Sequence, residues 1–335
     1  MLPRVLATWP FDLDLFAPIE GLCDLIRNPE PRVWTAEELR HQIGDAEAMI
    51  CVLNNRITRE VLEAARKLRM VANVAVGYDN LDIDALRARG VLASNTPGVL
   101  TDATADLTMA LVLAVTRRIV EGDRLTREGR FEGMCFDLLH GTELSGKTLG
   151  IVGYGRIGQA VAARAVAFGT QVIYTRRTPR DRHESGYTSH PRSPAESGNL
   201  SKARETSLEE LLTSADVVSL HLPLNAQTKH LINATRLSWM KPSAYLINTS
   251  RGPIIDEAAL AQALREGRLA GAGLDVYEFE PRVHPDLLAL PNVVLLPHIG
   301  SATRETRRRM AALAIENVAD YLNGRSPRNL LPELS

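Results

Sequence analysis

Residues 148–177 read TLGIVGYGRIGQAVAARAVAFGTQVIYTRR. A short apolar run, Thr148–Val152, leads straight into Gly153-Tyr154-Gly155-Arg156-Ile157-Gly158. An alanine-rich helical segment follows, then a second apolar run over Gln171–Thr175. Strand, turn, helix and strand in that order form the setting in which G-x-G-x-x-G makes a dinucleotide site. Gly153 permits the tight turn, Gly155 lets the backbone approach a pyrophosphate, and Gly158 lets helix pack closely on strand. Arg156 and Ile157 open the helix, whose N-terminus offers unpaired N–H groups and a positive dipole end to phosphates.

The end of the second strand bears on which dinucleotide is bound. NAD sites usually place Asp or Glu about 20 residues beyond the glycines, accepting from the ribose 2′-OH. Eighteen residues past Gly158 stands Arg176, followed by Arg177 and Thr178. A carboxylate would repel a 2′-phosphate, whereas a guanidinium can grip one bidentately. The alternative is a solvated basic run continuing through Arg180 and Arg182. Position favours the phosphate reading, so NADP(H) is expected over NAD(H).

The bulk properties suit a globular enzyme. A length of 335 residues suggests two domains. With a formal net charge of −1, no basic field exists on which nucleic-acid or anionic-membrane binding could rest. Three widely spaced cysteines without a CxxC pair, Cys23, Cys51 and Cys135, read as free thiols in a reducing compartment. The N-terminal MLPRVLATWP lacks signal-peptide character and no apolar run reaches membrane length, so the cytoplasm is expected. Asn233-Ala-Thr and Asn248-Thr-Ser match the glycosylation pattern without meaning in that setting.

Strands alternate with helices along most of the chain, the pattern of α/β domains with parallel sheets. Arg4–Trp9, Ala48–Leu53 and Met70–Val76 read as strands, with helices over Thr58–Leu68 and Asp82–Gly90. A long helix is expected from Asp102 to Arg130. Asp102 and Thr104 are placed to cap it, and its Met109–Val115 interior is apolar on nearly every side, which calls for burial between domains or against a second subunit. Beyond the glycine motif, strands are expected over Asp216–Leu220, Ala244–Asn248, Gly271–Val276 and Val293–Leu296. Helices are expected over Leu208–Thr213, Glu257–Gly267 and Ala302–Leu322. The polar segment 178–206 reads as a surface insertion beside the adenosine end of the cofactor. Its His183 and His190 lack the spacing or carboxylate company of a metal site.

Reducing a carbonyl with a nicotinamide needs an acid for the forming alkoxide and a cation for the substrate. Three islands offer these: Asn248-Thr-Ser-Arg251-Gly-Pro, Leu274-Asp-Val-Tyr-Glu-Phe-Glu280-Pro281 and Leu296-Pro-His298-Ile-Gly-Ser. Each follows an expected strand, at the sheet end where open α/β folds bind ligands. Singly, Arg251, Glu280 and His298 could be a salt bridge, a surface acid and a turn histidine. Together, downstream of a cofactor loop, they form a sharper constellation.

The islands GYGRIG (153–158), NTSRGPIIDEAAL (248–260), GLDVYEFEP (273–281) and PHIGSAT (297–303) resemble those of the D-isomer-specific 2-hydroxyacid dehydrogenases. The likeness covers nearly the whole chain in order, and NVAVGYDNLDIDALRARGVLASNTPGVLTDATADL (73–107) is similar to the glyoxylate and hydroxypyruvate reductase branch. The resemblance implies two doubly wound α/β domains with parallel sheets, a Rossmann cofactor domain over 99–298 and a flavodoxin-like substrate domain over 1–98 and 299–335, with a cleft between. It implies catalytic Arg251, Glu280 and His298. Substrate would be bound by the backbone N–H groups of Val76 and Gly77, by Leu53 on its apolar side, and by Arg251 and His298. Nicotinamide contacts are implied near Thr104, Thr249, Asp275 and His298, with further cofactor contacts at Leu222, Pro223, Thr228, Ser250 and Gly300. The implied reaction reduces a small 2-keto acid, glyoxylate or hydroxypyruvate, to the D-2-hydroxy acid. Hydride passes from NADPH to C2 and His298 protonates the oxygen. Glu280 would favour the imidazolium form of His298 and orient it. A homodimer through the cofactor domain is implied, which would give the apolar helix its partner.

Four features depart from the family's pattern. Met134 stands where glyoxylate reductases often place a Trp lining the partner's substrate pocket, which admits a larger keto acid such as 2-ketogluconate. The 178–206 segment is longer than the usual connection. Val76 replaces the Lys of phosphite dehydrogenases, and the phosphate-binding Arg of phosphoglycerate dehydrogenases is not recognisable. A reading from another class, a nucleotide-sensing protein resembling the C-terminal-binding corepressors, fits less well because the chain ends soon after its last helix.

Overall fold

The computed structural model describes residues 1–176 and 203–334. Arg177, Thr178, His183 and His190, each singled out in the sequence, lie outside the described residues. The chain divides into two compact units, Met1–Leu100 with Ala302–Ser335, and Thr101–Ser301. The divisions fall two and three residues beyond the 98/99 and 298/299 that the resemblance implies.

In the first unit β1 (Arg4–Ala7), β2 (Asp24–Arg27), β3 (Ala48–Val52), β4 (Met70–Val74) and β5 (Leu92–Ser94) form a sheet in the order β2-β1-β3-β4-β5. Every pairing is parallel. Both faces must therefore be covered, and the strand residues alternate between two cores. Leu6, Met49, Cys51 and Val71 pack with α1 (Ala36–Ile43), α2 (Arg59–Ala64) and α3 (Ile83–Ala88). Val5, Ile50, Met70 and Ala72 pack beneath the final helix, Arg304–Leu322, on Met310, Ala314, Ile315 and Val318.

The second unit carries β6 (Thr148–Val152), β7 (Gln171–Thr175), β8 (Arg204–Glu205), β9 (Val217–Leu220), β10 (Tyr245–Asn248), β11 (Gly271–Leu274) and β12 (Val293–Leu295). Their order is β12-β11-β10-β9-β6-β7-β8, again all parallel. The chain steps outward from β6 to β8 and then returns to the other side of β6. This order reverses between β6 and β9, the switch point at which such sheets bind ligands.

The expected helix from Asp102 to Arg130 is two helices, α4 (Thr101–Thr116) and α5 (Ile119–Arg127). They are divided at Arg118, which takes a left-handed φ of 52°. Nor do Asp102 and Thr104 cap it: Asp102 pairs with Arg164 at 3.1 Å, and the Thr104 hydroxyl donates to the Gly300 carbonyl. Its apolar interior needs no second subunit. Met109, Leu111, Val112 and Val115 are buried within their own unit, against sheet residues Ile151, Tyr245 and Ile247 and the α6 helix (Arg156–Ala167). The expected helix Thr58–Leu68 is confined to Arg59–Ala64. Unforeseen were β2 and α1, although α1 carries a T-x-x-E capping box: Glu38 N–H donates to Thr35 Oγ1, and Thr35 N–H donates to the Glu38 carboxylate.

Candidate active site

The glycine loop follows β6 directly. Gly153 has φ 101°, and a methyl there would overlap the backbone carbonyl of His221 as well as crowd Leu222. A methyl on Gly158 would overlap the Gly153 carbonyl oxygen, so helix and loop meet backbone to backbone. Gly155 differs, because no atom stands within 4 Å of the place its Cβ would fill. Gly155 is also the N-cap of α6 and makes no side-chain cap, so the open position stands at the start of that helix. A tight turn, a close packing and an open cradle are the three requirements of a pyrophosphate seat, and the residues fit a dinucleotide. Leu222 and Pro223 lie beside this loop, and Thr228 closes theirs by donating its hydroxyl to the Pro223 carbonyl at 2.7 Å.

At the end of β7, Arg176 is bound bidentately by Glu205 of β8, at 3.2 Å from Nε and 2.7 Å from Nη2. The Arg176 guanidinium lies 5.8 Å from the Tyr174 ring centroid, and that ring stacks on Tyr154 of the glycine loop at 3.7 Å.

The three islands stand on the adjacent strand ends of β10, β11 and β12. After β10, buried Asn248 shapes the turn. Its amide donates to the Arg251 carbonyl at 2.9 Å, and its oxygen accepts from the Ser250 N–H and hydroxyl. Arg251 Nη1 donates to the Ser250 carbonyl at 2.8 Å, and the buried Thr249 hydroxyl bonds that of Thr108. Gly252 passes so close to the next loop that a methyl would coincide with the Tyr277 carbonyl.

After β11, buried Asp275 accepts from the Ile299 and Gly300 N–H groups, both at 2.7 Å. This pins the segment around His298, which takes a left-handed φ of 54°, an uncommon backbone for a residue with a Cβ. Tyr277 donates its hydroxyl to the Leu296 carbonyl at 2.7 Å, tying the same two loops again. Glu280 is fixed by the Tyr277 N–H at 3.1 Å on one oxygen. Its other oxygen accepts from His298 Nδ1 at 2.9 Å. Desolvation pushes the Glu280 carboxyl up, but the hydrogen bond and charge of His298, the Tyr277 amide and the Arg251 guanidinium together hold it below its ordinary value. An ionised carboxylate only accepts, so Nδ1 carries a proton and Nε2 is the ring nitrogen turned away from Glu280.

In the first unit, Leu53 is half-buried just after β3, and Val76 and Gly77 follow β4. Asn95 donates to the Val76 carbonyl at 2.8 Å, and buried Asn73 donates to the Gly77 carbonyl at 3.1 Å. In a trans peptide the N–H points opposite to the C=O. Holding the Val76 carbonyl therefore aims the Gly77 N–H away from Asn95.

Residues 109–300 match the family described as D-isomer specific 2-hydroxyacid dehydrogenase, NAD binding domain. The glyoxylate reductase of Thermococcus litoralis is 44% identical over 99% of this chain and 97% of its own length. A solved glyoxylate reductase from Paecilomyes thermophila superposes with a TM-score of 0.86 at 32% identity, covering 100% of this chain and 99% of that one. An NADPH-dependent glyoxylate/hydroxypyruvate reductase from Sinorhizobium meliloti, solved with NADP and malonate, gives 0.83 at 34% identity, covering 100% and 98%.

The chain belongs to the D-isomer specific 2-hydroxyacid dehydrogenases. It is accordingly an NAD(P)-dependent oxidoreductase acting on a 2-keto or 2-hydroxy acid. Arg251, Glu280, His298, Thr104, Thr249, Ser250, Asp275 and Gly300 all lie in the dehydrogenase's second unit, as does the glycine loop; Leu53, Val76 and Gly77 lie in the first. The sequence reading passed over the residues that aim these groups. Asn248, Tyr277, Asn73 and Asn95 all lie inside the quoted motifs, but none of them was assigned a role there. A signal existed for Asn73, since an amide inside a fully buried parallel strand demands polar partners.

Replacing Gly252 by Ala is expected to displace the Arg251 turn, lowering kcat/KM about a hundredfold. Nucleotide affinity should fall far less, by about fivefold at most, because the glycine loop stands on a different strand end. Initial rates with equilibrium nucleotide titration check both; equal losses in the two would remove the assigned role of the close approach.

Proposed function

We propose that the dehydrogenase reduces glyoxylate or hydroxypyruvate with NADPH, giving the D isomer where C2 becomes a stereocentre. The observation that carries this reading is the 2.9 Å His298–Glu280 pair held beside the Arg251 turn. The full-length likeness to glyoxylate reductases supports the substrate class. When bound, the nicotinamide supplies hydride to the carbonyl carbon. The Arg251 fork holds the carbonyl and carboxylate oxygens. His298 Nε2 gives its proton to the carbonyl oxygen, so one hydride and one proton complete the alcohol. Glu280 keeps the ring oriented through its hydrogen bond with Nδ1. Gly153, Gly155, Arg156, Ile157 and Gly158 seat the pyrophosphate, with Leu222, Pro223 and Thr228 flanking it. Thr104, Thr249, Ser250, Asp275 and Gly300 serve the nicotinamide end. Arg176 reads the 2′-phosphate. The three free cysteines agree with a cytoplasmic location.

A homodimer is part of this reading. Helix α5 buries none of its residues, and Phe131, Met134 and Phe136 are 55%, 90% and 90% exposed in the following segment. So much apolar surface in one stretch supports an interface there.

Initial rates of NADPH and NADH oxidation test the reading. Glyoxylate or hydroxypyruvate should be reduced with an NADPH preference of about tenfold or more in kcat/KM. Activity confined to 2-ketogluconate would move the substrate toward the space at Met134, and nucleotide binding without any turnover would indicate a sensor. Glu280→Gln should lower kcat about tenfold or more, since an amide holds the His298 ring less firmly than a carboxylate; an unchanged kcat would refute the role. Joint Phe131→Ser and Phe136→Ser substitution should shift the light-scattering mass from dimer to monomer. A wild-type monomer would refute the dimer.

A further inference from the structure

The groups around Arg176 form a second anion-reading problem within the cofactor site. In the β7–β8 ladder Tyr174 pairs with Glu205, which brings the Glu205 carboxylate to the strand end where Arg176 emerges. Both carboxylate oxygens engage the guanidinium, and one also accepts from the Tyr174 hydroxyl at 3.4 Å. The stacked rings of Tyr154 and Tyr174 fix this ensemble against the glycine loop. The chain thus carries both the cation suited to a 2′-phosphate and, clasped to it, the acid suited to a 2′-hydroxyl. That acid comes from β8 rather than from the end of β7, where NAD sites usually keep it.

We propose that Glu205 tempers the nucleotide preference, competing with the 2′-phosphate for Arg176 and accepting from the 2′-hydroxyl when NADH binds. The proposal rests on the reading of Arg176 given above. A phosphate monoester carries close to two negative charges at neutral pH. To reach Arg176 it must displace the carboxylate or lie beside it, and like charges oppose both arrangements. A 2′-hydroxyl does neither and gains an acceptor. The side chains of Arg176 and Glu205 are 30% and 44% exposed, so water screens the pair and the discrimination is modest. Glu205 therefore narrows the preference for NADPH over NADH without inverting it. A chain with Arg176 and no acid opposite would prefer NADPH more strongly.

The test compares binding of adenosine 2′,5′-bisphosphate and 5′-AMP by calorimetry to the wild type, Glu205→Gln, Arg176→Gln and the double variant. Glu205 is exposed on a two-residue edge strand, so its substitution leaves the core intact. Glu205→Gln should tighten the bisphosphate about fivefold and leave 5′-AMP unchanged or up to about twofold weaker. In the Arg176→Gln background most of that gain should vanish. No change in the ratio of the two affinities on Glu205→Gln would overturn the proposal. If Arg176→Gln alone abolishes the preference for the bisphosphate while Glu205→Gln does nothing, Arg176 reads the phosphate and only Glu205 competition fails. If Arg176→Gln leaves the preference intact, the reading of Arg176 fails and takes this proposal with it.

Discussion

Two hydrogen bonds from consecutive amides to one buried carboxylate set the geometry of the candidate active site. Asp275 directly follows β11, and its oxygens accept from Ile299 and Gly300 on the loop after β12. His298 precedes those amides in a left-handed backbone that costs about 1 kcal/mol or more and needs the surroundings to hold it. Without the Asp275 clamp the loop would relax toward ordinary dihedrals and carry the imidazole away from Glu280. The Tyr277–Leu296 bond repeats the tie a few residues on. Local strain is thus balanced by two links between the same pair of loops.

The same logic governs the Arg251 turn. A buried amide, Asn248, satisfies three groups of the turn, and Gly252 lets it lie on the Tyr277 backbone. Neither residue takes part in chemistry. Their effect is to place the planar, weakly hydrated guanidinium of Arg251 on a short and rigid stem.

Much of this was legible in the sequence, for identifiable reasons. The glycine loop could be read because each glycine answers a backbone demand that no other residue meets, and the strands because buried parallel strands are continuously apolar. Arg251, Glu280 and His298 stood out through their positions after strands. The supporting amides did not, since Asn73, Asn95 and Asn248 act through contacts with backbone carbonyls that leave no periodic trace. Nor was the break at Arg118 visible, because no glycine or proline marks it. The pairing of Arg176 with Glu205 was hidden for another reason. The two are 29 positions apart in sequence, and a two-residue strand is too short to show as a pattern.

Environment, rather than residue type, divides the labour among the acids on this side of the sheet. Burial pushes the Asp275 carboxyl above its ordinary value, against the pull of the two amides and of His298. Glu257, also buried, moves the same way and spends its oxygens on the N–H groups of Glu278 and His284. Glu280 moves in the opposite direction, because a histidine and an arginine face it. Two carboxyls within six residues of one loop are therefore displaced to opposite sides of their usual range. Such divergence is how a site separates the acid that handles charge from the acid that fixes backbone. The member held down is the one hydrogen-bonded to the imidazole. An anion stabilised in that place accepts from Nδ1 of the imidazole, which leaves Nε2 as the ring nitrogen turned away from it.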